Sequence, residues 1–204
     1  MYDHLKQSGN MFDIFKHACL IKAVEINYPG TYFESHCGFA SYDKPELWES
    51  SWIKVQRLTN CYCTLCDINP EVQNSIPDSN KFNFKCIDGY EEARKLLLHN
   101  DFNDLFFIDP PYVDLNDFLK VSELISTFIK MEVKWIVWYP VFKNGLSFKP
   151  ATSMEMYWKT PNNLYGCGMA FGGFDKVDIK HISKALPFLS YCLSSEHRIR
   201  YENI

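Results

Sequence analysis

The chain has 204 residues, 47% of them apolar, which corresponds to one domain over residues 1–204 with ample material for a single core. Its 21 basic and 25 acidic residues give a formal charge of -4, so there is no global positive field to draw in a polyanion, and any nucleic-acid partner has to be gripped by a local patch. The sequence lacks both an apolar run long enough to span a bilayer and a charged-then-apolar leader, which points away from a membrane and towards a soluble protein.

The 8 cysteines suit a reducing compartment, and cytoplasm is the default expectation. Cys61, Cys63 and Cys66 form a C-x-C-x-x-C cluster, but no second close cysteine or histidine pair follows at finger-like spacing. Packing of a buried strand is the preferred reading there, and no metal is expected.

In chain order, Phe12, Phe15, Cys19, Ala23 and Ile26 recur at helical spacing, and Pro29-Gly30 stops that helix. Thr31 to Cys37 reads as a β-rich run, followed by a loop with Pro45 and a mixed segment from Trp48 to Leu58. A second strand is expected at Cys61 to Ile68, then a short helix opened by Pro70, a strand at Phe82 to Ile87 and a helix at Tyr90 to His99. Leu105 to Ile108 reads as a strand, Leu115 to Met131 as an amphipathic helix, and Lys134 to Val141 as a fifth strand. Beyond Pro150, the stretches MEMYWKT and GCGMAFGGF look like late antiparallel strands, and His181 to Leu193 like a last helix. Strands alternating with amphipathic helices predict an α/β fold with an open, mostly parallel sheet.

In such sheets the ligand crevice lies beyond the carboxyl ends of the strands, where the strand order reverses. Four strand ends carry polar or glycine-bearing segments: Glu34 to Gly38, Asp67 to Asn69, Asp88-Gly89 and Asp109 to Tyr112. The last is the strongest signal, an apolar strand running straight into D-P-P-Y. Its two prolines end the strand and stiffen the backbone, holding the Asp109 carboxylate and the Pro110 carbonyl as a rigid pair of acceptors. A flipped-out exocyclic amine would donate one N–H to each, with the ring of Tyr112 stacked on the base.

This arrangement resembles motif IV of the N6-adenine and N4-cytosine methyltransferases, which use S-adenosylmethionine. The N-terminus narrows the likeness. Tyr2-Asp3-His4, Gly9-Asn10, Asp13 and Lys16-His17 resemble the opening Y-x-H-x-x-H-A-G-N-x-x-D-x-x-K-H of the bacterial 23S ribosomal RNA adenine-N6 methyltransferase J family, also described as proteins for using external DNA as a nutrient. Glu34 to Tyr42, Asp88-Gly89, Asp109 to Tyr112, Trp138-Tyr139-Pro140 and Gly168-Met169 follow the family's later motifs in order, so the likeness spans most of the chain. The departures are Gln7, Ser8 and Ala40, together with a short stretch between Tyr42 and Cys61 where family members carry a helical insertion.

The resemblance implies a class I, Rossmann-like methyltransferase with S-adenosylmethionine bound by Lys16, His36, Gly38, Asp67, Asp88 and Asp109. Lys16 would pair the cofactor's methionine carboxylate, Asp67 would accept the ribose hydroxyls, and Asp88 would lie beside the adenine ring. Asp109, Pro110 and Tyr112 are the expected catalytic residues, and Tyr2, Asn10 and Tyr139 the expected substrate contacts. His17 reads as a packed residue, and Lys6, Lys143, Lys149, Arg198 and Arg200 as candidate phosphate contacts. The implied activity is N6-methylation of adenine in RNA, ribosomal RNA first, by a monomer. The rival readings are an N6-adenine DNA methyltransferase and a homologue that binds cofactor and nucleic acid without turnover.

Overall fold

The structure is a computed structural model that describes residues 10–40, 49–98, 104–143, 152–159 and 163–200. Helix α1 (Met11–Asn27) starts at Asn10, whose side-chain oxygen accepts the backbone N–H groups of Phe12 and Asp13, and it ends at Tyr28 in the left-handed region. Strand β1 (Thr31–Glu34) follows, and then α2 (Ser51–Thr59), β2 (Tyr62–Asp67), a 3-10 turn (Pro70–Ser75) and β3 (Phe82–Cys86). Helix α3 (Gly89–Leu98), β4 (Leu105–Ile108), α4 (Leu115–Lys130) and β5 (Trp135–Phe142) complete the alternating part. The last elements are β6 (Ser153–Tyr157), β7 (Leu164–Gly172), α5 (Lys176–Ser183), α6 (Leu186–Cys192) and β8 (Glu196–Arg200).

All eight strands join one sheet in the order β3-β2-β1-β4-β5-β7-β6-β8. The first five are parallel neighbours, while β7 runs antiparallel to β5 and β6, and β8 antiparallel to β6. This is a Rossmann-like, open and mostly parallel α/β sheet with late antiparallel strands. Strand order reverses between β1 and β4: the chain builds outward from β1 to β3, returns to β4 and then builds the other way. In sheets of this kind the ligand crevice lies at that point, beyond the carboxyl ends of β1 and β4.

Strand alternation sorts the core into two layers. Tyr32, Cys63, Leu65, Phe107 and Ile136 point to the face covered by α1 and α2, together with Leu186 and the inner side of α5. Phe33, Cys66, Phe106, Ile108, Val137 and Tyr139 point to the face of α3 and α4. Cys61 and Cys63 therefore share one layer while Cys66 lies in the other, and among the described residues no group of three or more His, Cys, Asp or Glu side chains is arranged to hold a metal ion. No described helix is long and apolar enough to cross a membrane.

Two differences from the sequence expectation are local. Pro187 sits in the first turn of α6, so the expected single helix from His181 to Leu193 is broken into α5 and α6. Beyond it, the charged EHRIR segment pairs with β6 as an edge strand, a short polar run with no apolar alternation to mark it.

The glycines of β7 have a packing reason. Gly168 and Gly172 lie opposite Tyr139 and Trp135 in the ladder, and a Cβ at these positions would come within 2.2 Å and 2.1 Å of those rings. The aromatic rings of β5 lie in the space the missing side chains leave. Gly168→Ala is expected to cost about 1–3 kcal/mol through overpacking, seen as a fall of several degrees in the thermal midpoint by calorimetry. An unchanged midpoint would contradict this packing.

Candidate functional site

All four strand-end segments meet beyond the carboxyl ends of the parallel strands. After β1, the Ser35 hydroxyl lies 2.7 Å from His36 Nδ1 and accepts the backbone N–H of Asp109 at 3.3 Å, so the loops after β1 and β4 are joined directly. The loop turns at Gly38, whose φ of 59° lies in the left-handed region that glycine adopts without strain. The Gly38 N–H donates to Asp67 Oδ2 at 3.1 Å, and the Asn69 N–H donates to Asp67 Oδ1 at 2.9 Å. An ionised carboxylate offers about four lone-pair positions, so Asp67 is fixed by two backbone donors with capacity left on both oxygens.

Asp109 is held from the other side by α1. Lys16 Nζ lies 2.7 Å from Asp109 Oδ2 and 2.8 Å from Asp13 Oδ1, with both Lys16 and Asp109 largely buried. Burial opposes the Lys16 charge, but the two carboxylates outweigh it and hold the ammonium well above its ordinary pKa. The expectation that Lys16 reaches a ligand carboxylate is therefore modified, because in this state two of its three N–H donors are committed to Asp109 and Asp13. His17, on the same helix, is pushed well below its ordinary value by burial and by Lys16 and Lys54, and its ring sits 2.7 Å from Lys54 Nζ. It is a packed, neutral residue.

Next to Asp109, the carbonyl of Pro110 accepts no hydrogen bond among the described residues. Tyr112 has a φ of 49°, an uncommon conformation for a bulky residue and one that clusters at functional sites. Its ring does not face open space: it packs against Phe118 at 4.6 Å, and its hydroxyl donates to the Trp138 carbonyl at 2.8 Å. Stacking on a base requires that ring to turn outwards.

Asp88 caps the start of α3 through the Tyr90 N–H at 2.8 Å and pairs Lys120 at 3.0 Å, contacts that pull its carboxyl below the usual range against the effect of burial. Gly89, the next residue, has no room for a side chain, since a Cβ would lie 1.9 Å from the Ser35 carbonyl oxygen. His36 is lowered by burial, with Asp109 and Asp67 opposing, and its ring meets Tyr90 edge-on at 5.0 Å.

The expected substrate contacts fare differently. Asn10 is the cap of α1. Tyr139 is wholly buried, its hydroxyl donates to Glu155 Oε1 at 2.9 Å, and it lies in the same α3–α4 layer as Tyr112. Tyr2 lies outside the described residues, as do Lys6 and Lys149. Ala40, where the family loop has glycine, is held by Ser75 Oγ at 3.0 Å through its N–H and accepts the Ser50 N–H at 3.1 Å.

Glu34 was seen in the sequence only as the start of the first loop. It is buried under α2, where its oxygens accept the hydroxyls of Tyr32 at 2.8 Å and of Ser51. No sequence signal marks that role, because Ser51 is brought to it by the packing of α2. Burial pushes the Glu34 carboxyl up to about 8.

With the crevice described, its likeness to known proteins can be placed. No protein-family model matches the sequence, and no curated protein matches it. Among solved structures, protein LPL1258 from Legionella pneumophila, of family-model DUF519, is similar at 19% identity and a TM-score of 0.76, covering 96% of this chain and 98% of that one. The fold and its compact size are thus shared by the two chains along nearly their whole length. A SAM-dependent methyltransferase from Agrobacterium tumefaciens is similar at 12% identity and a TM-score of 0.45, over 65% of this chain and 46% of that one. The putative methyltransferase yhhF from Escherichia coli is similar at 12% identity and a TM-score of 0.41, over 72% and 78%.

The Glu34 cluster makes the stability pH-dependent in a defined direction. The folded protein keeps this proton up to about pH 8, whereas a carboxyl at the ordinary value of 4.5 has already released it. Between those values the folded state binds the extra proton, so the stability Glu34 allows is greatest below about 4.5 and falls as pH rises, levelling off above about 8. Glu34→Gln, which cannot ionise, is expected to flatten this part of a thermal-midpoint profile taken from pH 5 to 9. A variant profile parallel to wild type would contradict the assignment.

Proposed function

We propose that this chain is an S-adenosylmethionine-dependent methyltransferase that acts on the N6 of adenine in nucleic acid, with RNA, and ribosomal RNA in particular, the first choice. The observation that carries the reading is the D-P-P-Y turn at the β1/β4 switch point, with an anchored carboxylate and an unpaired carbonyl side by side. The residues present suit the cofactor. Asp67 keeps acceptor capacity for two ribose hydroxyls, Gly38 allows close backbone approach, and the third N–H of Lys16 remains for a carboxylate.

When bound, the cofactor supplies an electrophilic methyl group on sulfonium. The protein's part is to accept and orient. The lone pair of an adenine amine is shared with the ring, and hydrogen bonds from its two N–H groups to the Asp109 carboxylate and the Pro110 carbonyl return density to nitrogen. The stiff prolines fix these acceptors before the base arrives, so orientation and preorganised electrostatics supply much of the acceleration. Lys16 holds Asp109 in place, and the proton passes to solvent after the nitrogen has become cationic, so a strong base is not required. Tyr112 closes on the base after leaving its contact with Phe118.

The compact form and the -4 charge keep a DNA substrate and a non-catalytic binding role as the rival readings. Asp109→Asn, which keeps the shape but removes the charge, is expected to reduce radiolabelled methyl transfer into RNA at least a hundredfold while cofactor affinity stays within a few fold. Asp67→Ala is expected to weaken cofactor binding about tenfold or more by calorimetry. Full transfer by the first variant would overturn the mechanism, and unchanged affinity in the second would remove Asp67 from the cofactor site.

A further inference from the structure

The chain is acidic overall, yet the segment from Lys176 to Arg200 is basic: Lys176, Lys180, Lys184, Arg198 and Arg200 face only Asp178 and Glu196. Three of these cations are spaced by four residues, so Lys176, Lys180 and Lys184 form one stripe along and just beyond α5, all exposed. Elsewhere several basic side chains are ion-paired, Lys22 with Glu25, Arg57 with Glu49, Lys85 with Glu92, Arg94 with Glu123 and Lys120 with Asp88. Among the described residues, Lys176, Lys180, Lys184 and Arg198 have no carboxylate partner, and only Arg200 is tied, to Glu155 at 3.1 Å.

Two large aromatic rings stand free beside these charges. On α6, Phe188 is 71% exposed and Tyr191 is 86% exposed, three residues apart and so on one side of the helix. The inner side of α6 is satisfied by Leu186, Leu189 and Leu193 in the core layer, so the exposed rings are a second face rather than a misplaced core. Exposed cations followed by exposed aromatics are what unpaired nucleotides need, charge for the phosphates and flat faces for the bases.

The surface also adjoins the crevice. Phe12 of α1 meets Trp158 edge-on at 5.0 Å, and the Trp158 indole N–H donates to the Leu193 carbonyl at the end of α6 at 3.1 Å. Phe12 is one turn from Lys16, the residue that holds Asp109. At the usual strand spacing, the four steps from β4 to β8 amount to about 19 Å, a span of a few nucleotides.

We propose that the exposed α5–α6 surface docks the single-stranded nucleotides that flank the target base, with Phe188 and Tyr191 as stacking platforms and Lys180 and Lys184 on the phosphates. The proposal deepens the nucleic-acid methyltransferase reading and rests on it for the identity of the partner.

The test is fluorescence anisotropy with a labelled single-stranded oligoadenylate RNA, without cofactor, across a salt series. Phe188→Ala/Tyr191→Ala is expected to weaken binding about tenfold or more, Lys180→Glu/Lys184→Glu to weaken it and flatten the salt dependence, and Lys130→Glu on α4 to leave it unchanged. Unaltered affinity in both double variants, or an equal loss with Lys130→Glu, would overturn the proposal. So would light scattering that shows a dimer dissociated by the aromatic variant, which would give the surface to a second copy of the chain. Binding that depends on these residues in a protein that transfers no methyl group would uphold the docking surface and defeat the catalytic reading alone.

Discussion

The ion pair between Lys16 and Asp109 is the contact on which the arrangement of the crevice depends. It spans 93 positions in sequence and closes to 2.7 Å, fastening the first helix over the end of β4. Both groups are largely withdrawn from water, and removing Lys16 would leave the Asp109 carboxylate without its cation, a severe penalty in a protein interior. Asp13, one turn earlier, shares the ammonium and adds negative charge near the helix start, where the macrodipole favours it. The D-P-P-Y turn is therefore held by its own stiffness on one side and by α1 on the other.

Everything else at the crevice is oriented by the same economy of backbone donors. Asp67 is aimed by two N–H groups, Asp109 is seated on Ser35 through its own N–H, and Asp88 is spent on the start of α3. These contacts explain why acidic residues cluster at strand ends without repelling one another apart: each is met by a donor or a cation. Gly89 lets α3 start against the Ser35 carbonyl, so that the loop after β1 and the helix after β3 form one wall.

Much of this was legible in the sequence because strand and helix periods are local properties. The span expected for β4 is the one observed, and α1, α3, α4 and β5 differ from expectation by a residue or so at their ends. The acids were found at the strand ends where an open α/β sheet puts its ligand. What stayed hidden depends on tertiary contact. Lys16 reads as a ligand-seeking cation until Asp109 is brought beside it, and the burial of Tyr139 shows only in its pairing opposite Gly168. Tyr112 follows its motif in sequence, but its left-handed backbone and its contacts with Phe118 and Trp138 show a closed position. Strand β8 escaped because an edge strand rich in charge has no apolar period to reveal it.

In the proposed reaction the acceptor pair at the β1/β4 switch point orients the exocyclic amine of adenine for methyl transfer from S-adenosylmethionine. The most direct measurement is the mass of the modified nucleosides obtained after the purified protein and S-adenosylmethionine are incubated with RNA from a strain lacking the gene for this protein. The account predicts N6-methyladenosine above background. Methylation at another nucleoside or another position, or none in a preparation that binds the cofactor, would contradict it.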